Sequence, residues 1–202
     1  MTTKECILYE ALELFSKRGY EAVSMRDISS VVGIRESSIY KHYRGKAGIL
    51  EAIIEMAQTR IEVMYEALNV PKVESTMELT RYMQVEIEEV AQLCINMLKK
   101  QLEDEVIRKF RQLLTIEQYR NEEMKALYIA FFIDKPMNYQ EKVFQFLIDE
   151  KVLKGENGKM LALAFFSPFF MIQYQLQDNM QLLINTLEEY AISFIKSHLV
   201  EG

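Results

Sequence analysis

Between residues 37 and 42 the chain runs Ser-Ser-Ile-Tyr-Lys-His, and five of those six side chains are polar. Three hydroxyls, an ammonium and an imidazole, with no acid among them, offer hydrogen-bond donors and positive charge. Phosphate oxygens and the edges of base pairs accept such groups. His42 and His198 are the only histidines, so a histidine-rich metal site is excluded and a catalytic triad would need an improbable arrangement. The chemistry to expect is recognition rather than bond making.

A face of this kind needs a short helix held rigidly from behind. Ser24 followed three residues later by Asp27 is a helix-start signal, hydroxyl onto one free amide and carboxylate back onto another. Met25, Ile28, Val31 and Val32 then fall at helical spacing on one side. Gly33 supplies the positive φ of a sharp turn, and Ile34 and Ile39 pack a second short helix against the first. Ser37, Ser38, Tyr40, Lys41 and His42 are left facing outward. The pattern predicts a helix-turn-helix. Ahead of it, residues 3–18 form a first helix with Ile7, Leu8, Ala11, Leu12, Leu14 and Phe15 as its apolar side and Gly19 as its stop.

Ile7-Leu8-Tyr9-Glu10-Ala11-Leu12-Glu13-Leu14-Phe15-Ser16-Lys17-Arg18-Gly19-Tyr20, then Ser24 to Ile28, Val32-Gly33-Ile34, Tyr40-Lys41-His42-Tyr43 and Lys46 with Leu50, resemble the N-terminal signature of tetracycline-repressor (TetR) family regulators. The resemblance covers roughly the first quarter of the chain and depends on several features coinciding at fixed offsets. It implies a homodimer with a ligand-binding C-terminal domain, and it implies roles position by position. Ser24 and the amides behind it would hold one phosphate, Tyr40 another, and Lys46 would clamp the backbone on the far side. Ser37, Ser38, Lys41 and His42 would face the groove, with Lys41 and Arg35 able to read a guanine. Arg26 would add a contact or stand as a solvated charge, and Tyr43 belongs in the core. Arg35 replaces the serine that usually caps the recognition helix, Ser29 and Val32 replace small alanines at the helix crossing, and Gly45 and Gly48 flank the start of the fourth helix.

Composition agrees with an all-α protein: half of its 202 residues are hydrophobic, yet it has only seven glycines, three prolines and no tryptophan. Residues 1–46 hold eight basic and six acidic residues, a net +2, whereas the whole chain carries −6 and residues 47–202 therefore −8. A basic module on an acidic body binds nucleic acid through one end only. Cys6 and Cys94 have no metal-ligand or redox spacing and read as reduced thiols. The first residues, Met-Thr-Thr-Lys-Glu, enter an amphipathic helix directly, so no secretory leader and a cytoplasmic location are expected.

The expected architecture is an N-terminal three-helix helix-turn-helix DNA-binding domain, residues 1–46, and a larger helical ligand-binding and dimerisation domain, residues 47–202. Helices are predicted near 46–68, 74–100, 103–118, 121–133, 137–152, 159–177 and 180–199, with Asp134-Lys135-Pro136 as a stop. Residues 160–174 are uncharged and aromatic on more than one side. Ser167-Pro168 and the following glutamines make them a poor membrane span, so a helix buried all round is expected. Phe166, Phe170, Tyr174, Leu183, Leu187, Tyr190 and Phe194 would form a two-fold four-helix interface. Phe110, Tyr128, Phe131, Phe132, Phe165 and Phe169 would wall an apolar cavity. The partners to expect are a palindromic double-stranded operator, a second copy of the chain and a hydrophobic small-molecule effector, with no cofactor, metal or membrane. An alternative is a DNA-binding regulator without a ligand, controlled by a protein partner or by abundance. A helical enzyme has only composition in its favour.

Overall fold

The computed structural model describes residues 1–71, 73–74, 76–83, 87–172 and 180–200. They form α1 (Thr3–Arg18), α2 (Met25–Val32), α3 (Glu36–Ile39), α4 (Gly45–Ala67), α5 (Thr76–Leu79), α6 (Ile87–Glu103), α7 (Glu105–Glu117), α8 (Glu122–Ile129), α9 (Lys135–Asp149), α10 (Gly158–Ile172) and α11 (Met180–His198). The only β pairing among the described residues is an isolated bridge, Leu153 to Leu199. The fold is all-α, a helix-turn-helix followed by a larger helical body.

Packing divides the chain into two compact units. The first joins Met1–Met64 with Gln101–Phe132, and the second joins Tyr65–Lys100 with Ile133–Gly202. The expected border at residue 46 marks where the recognition motif ends, and packing draws a different line. Three short helices bury too little surface to stand alone, so α1 packs on α7 and takes α7 and α8 into its unit.

In the first unit Thr2 and Glu5 form a capping box at the start of α1, and Ile7, Ala11, Leu12 and Phe15 are buried. Ile7, Leu12 and Phe15 each contribute about 1.5–3 kcal/mol through burial. Asp104 caps α7 by accepting from the Val106 and Ile107 amides, both at 3.0 Å. Arg60 of α4 reaches that same carboxylate at 3.3 Å. Lys109 pairs with Glu13 of α1 and, at 2.6 Å, with Glu105. Its ammonium, and then that of Lys17, holds the Glu13 carboxyl below the usual range.

The second unit corrects two expectations. Asp134-Lys135-Pro136 does not interrupt the helix: Ala130–Asp134 forms a single π-helical turn and α9 starts at Lys135. Proline is tolerated in a first turn, where its missing amide has no helical acceptor. Where one helix was expected over 74–100, the described residues form α5, a 3₁₀ turn at Thr80–Met83, and α6 from Ile87. Pro168 inside α10 removes the amide that would bond the Ala164 carbonyl four residues back. The Tyr190 hydroxyl of α11 donates to that carbonyl at 2.7 Å, so the orphan acceptor is satisfied from the neighbouring helix.

Candidate nucleic-acid interface

Ser24 and Asp27 satisfy each other at the start of α2. The Asp27 amide donates to Ser24 Oγ at 3.1 Å, and the Ser24 amide donates to Asp27 Oδ2 at 2.8 Å. The Ser24 hydroxyl also donates to that oxygen, at 2.5 Å. These bonds, with Arg18 at 3.3 Å, lower the Asp27 carboxyl to about 2. Gly33 adopts φ +74°, ψ 30° and closes α2, the left-handed turn its position predicts. Ile28 and Ile39 are fully buried and Tyr43 nearly so, its hydroxyl donating to the Lys4 carbonyl at 3.0 Å. Val31 departs from the expected buried face: it is 53% exposed, because an eight-residue helix with one packed side covers about half its circumference.

Arg35 stands at the cap of α3 and makes no side-chain cap bond. Arg26, Arg35, Ser37, Tyr40, Lys41 and His42 are all exposed and Ser38 is half-buried. Tyr40 has over half its surface free. Arg44 is a further exposed cation beside them; its position directly after Tyr43 was the available signal. The loops and turns that carry this set are held from behind by Ile28, Ile39 and Tyr43. These exposed cations and hydroxyls, with the exposed acid Glu36 on α3 among them, include groups that phosphates and base edges accept.

Lys46, expected to clamp the DNA backbone, is half-buried and held from its own side of the fold. Its ammonium donates to the Tyr20 carbonyl at 2.9 Å and the Glu21 carbonyl at 3.5 Å, and lies 4.2 Å from the centre of the Tyr20 ring. This side chain ties the start of α4 to the α1–α2 loop.

The residues expected to wall one cavity fall into two packed ring clusters. In the first unit Phe110 meets Phe131 edge-on at 5.6 Å and Phe132 at 6.2 Å, and Tyr128 meets Phe132 at 5.8 Å. In the second, Phe165 packs against Phe144, Phe169, Tyr190 and Phe194. The second unit also holds an opening of about 640 Å³ that none of the six lines. Tyr65, Val70, Pro71, Val73 and Tyr139 give it apolar walls, with Arg81, Lys135 and Lys142 among them. Beside it the Tyr82 and Tyr139 hydroxyls are 2.5 Å apart; burial pushes Tyr82 up to about 12 and raises Tyr139 as well.

Of the expected interface residues, Leu187 is 1% exposed and packs within its own chain. Tyr190 and Phe194 join the ring cluster. Phe166, Phe170 and Leu183 are half-buried, and Tyr174 lies outside the described residues. The helix α10 is not buried all round: Met160, Leu163 and Met171 are more than half exposed, as is Leu182 on α11. Among the described residues no helix is long and apolar enough to cross a membrane, and no three His, Cys, Asp or Glu residues are grouped to hold a metal.

Residues 7–53 match the family model for bacterial regulatory proteins of the tetR family. The chain is 32% identical over 68 residues to the HTH-type transcriptional regulator AcrR of Shigella flexneri, a stretch covering 32% of each protein. It is 38% identical over 52 residues to the Staphylococcus epidermidis IcaR, a negative transcriptional regulator of the biofilm operon icaADBC, covering 26% of this chain and 28% of IcaR. The matched stretch thus spans about a third or less of these relatives. Over the full length the fold resembles a tetR-family bacterial regulatory protein from Rhodococcus RHA1, with a TM-score of 0.67, 14% identity and complete coverage of both chains.

Proposed function

We propose that this chain, whose residues 7–53 match the model for tetR-family bacterial regulatory proteins, is a TetR-family regulator: a sequence-specific DNA-binding transcriptional repressor acting in the cytoplasm on a palindromic operator. The observation that carries this reading is the exposed set Arg35, Ser37, Tyr40, Lys41 and His42 on a helix-turn-helix whose buried side is closed by Ile28, Ile39 and Tyr43. Tyr40 binds a phosphate, Lys41 and Arg35 reach base edges, and Arg26 and Arg44 add backbone contacts. Ser24 contributes through the geometry of its cap, since its hydroxyl is engaged with Asp27. Replacing Tyr40 and Lys41 together by Phe and Met tests the reading. Operator affinity should fall, because a phosphate hydrogen bond and a base contact are lost together; unchanged affinity contradicts it.

A palindromic site requires two copies, with recognition helices about 34–36 Å apart. The exposed apolar side chains Met160, Leu163, Met171 and Leu182 on the last two helices support a second copy as the partner that covers them. Sedimentation at micromolar concentration should give a dimer.

The effector reading rests on the opening in the second unit. Apolar walls with charged groups of both signs among them, Arg81, Lys135, Glu66 and a Lys142–Glu74 pair at 3.6 Å, suit an amphipathic molecule better than a purely hydrophobic one. Such a ligand releases the operator only if it binds more tightly to a form with wrongly spaced recognition helices. The tight packing of both ring clusters favours a second reading, a regulator with no small-molecule ligand. Titrating amphipathic compounds into the protein–operator complex separates the two.

A further inference from the structure

Glu117, in the last turn of α7, is 1% exposed and takes no part in the interface described above. Its Oε1 accepts a hydrogen bond from the Tyr20 amide at 2.7 Å. Its Oε2 is buried with no hydrogen-bond partner among the described residues. The approach is so close that a Cβ on Gly19 would stand 2.5 Å from Oε1, and Gly19 also holds φ +83°. On its other side the same Tyr20 is gripped by Lys46, whose ammonium takes the Tyr20 and Glu21 carbonyls and covers the Tyr20 ring. Tyr20 is therefore pinned through its amide by α7 and through its carbonyl by the start of α4.

A buried acid with an unsatisfied oxygen is a costly way to join a helix to a loop, because an apolar side chain would fill the space without stranding a polar atom. An ammonium carries three donors. Two are directed onto the loop carbonyls; the exposed Glu21 carboxylate lies 4.0 Å from the ammonium and draws the third weakly, and the Lys46 side chain keeps 22% of its surface exposed, where a phosphate can compete for that donor. The direction of that third donor is set by where Tyr20 sits. We propose that Glu117 is a positioning residue for DNA binding: it fixes Tyr20, and Tyr20 aims Lys46 at the phosphate backbone. This rests on the DNA-binding reading above.

The test uses the full-length protein and a duplex that it has itself selected from a random pool. Lys46→Met should lower the slope of log affinity against log salt by about 0.9, one phosphate. Glu117→Leu should lower the slope equally and weaken binding about tenfold, and the double variant should lose no more slope than either alone. Glu117→Gln, whose side-chain carbonyl still accepts from the Tyr20 amide, should stay within about threefold of the unmodified chain. Affinities refer to the active fraction at a temperature where circular dichroism shows each variant folded. Should Glu117→Leu not fold, Glu117→Asp, a methylene too short for the 2.7 Å bond, decides in its place with the same shallower slope expected. A wild-type slope in the folded Glu117 variant, slope losses that add, or a Lys46→Met slope equal to wild type overturns the proposal while DNA binding stands. Failure of the unmodified chain to enrich any duplex removes the DNA-binding reading itself.

Discussion

Arg35 at the cap of α3 and Lys41, which with His42 lies in the turn after that helix and not on it as expected, are exposed cations, and each should read a base rather than hold the backbone. Replacing either by Ala should relax the preference at one base pair by about 1–3 kcal/mol, measured by competition between duplexes differing at that pair. Behind them, Ser24→Ala should cost about 1 kcal/mol of stability, seen in urea unfolding, because it removes the cap of α2. The Asp27 carboxyl is lowered to about 2 by Ser24 and then Arg18. Its contribution is present above its ordinary value near 3.8 and is lost as pH falls through about 2. Asp27→Asn should therefore flatten the acid limb of the stability profile between about pH 4 and 2. The Ser24–Asp27 box and the Gly33 turn were legible in the sequence because both are settled within a few residues. The grip of Lys46 on Tyr20 was not, since the partners are 26 positions apart and no local spacing marks them. Glu117, 97 positions from Tyr20, left no signal at all.

At the scale of elements, boundaries followed local signals wherever a cap or a stop was present. Residues 3–18 form α1 as expected, from the Thr2–Glu5 box to Gly19. Pro136 misled because a proline reads as a stop or a first-turn residue according to what precedes it, and a π-helical turn precedes it here. Pro168 is the opposite case, an interior proline whose cost is offset by Tyr190. Tyr190→Phe should leave the Ala164 carbonyl without its donor and lower stability by about 1 kcal/mol, read from the denaturant midpoint at unchanged slope. Gly33→Ala should cost a similar amount with nothing in the way of its methyl, since open space surrounds Gly33 and the strain is conformational.

For the whole molecule, composition and charge already indicated a helical chain with a basic N-terminal end. They did not indicate that α7 and α8 belong to the same compact unit as the helix-turn-helix, because packing between distant helices leaves no periodic trace. Nor did the aromatic residues reveal which would stack on one another and which would stay at the surface: the rings of Tyr190 and Phe194 close their own core, and Leu163 and Leu182 remain outside. If a second copy covers Leu163 as proposed, Leu163→Asp should give a monomer in sedimentation where the unmodified chain gives a dimer, and weaken operator binding with it, while the monomer keeps its helical circular dichroism. The most direct measurement of the whole account is selection of bound sites from a random duplex pool by the intact protein. Two inverted half-sites whose centres lie about one helical turn, or a multiple of it, apart are predicted. A pool that shows no enrichment, or enriches a single asymmetric site, contradicts it.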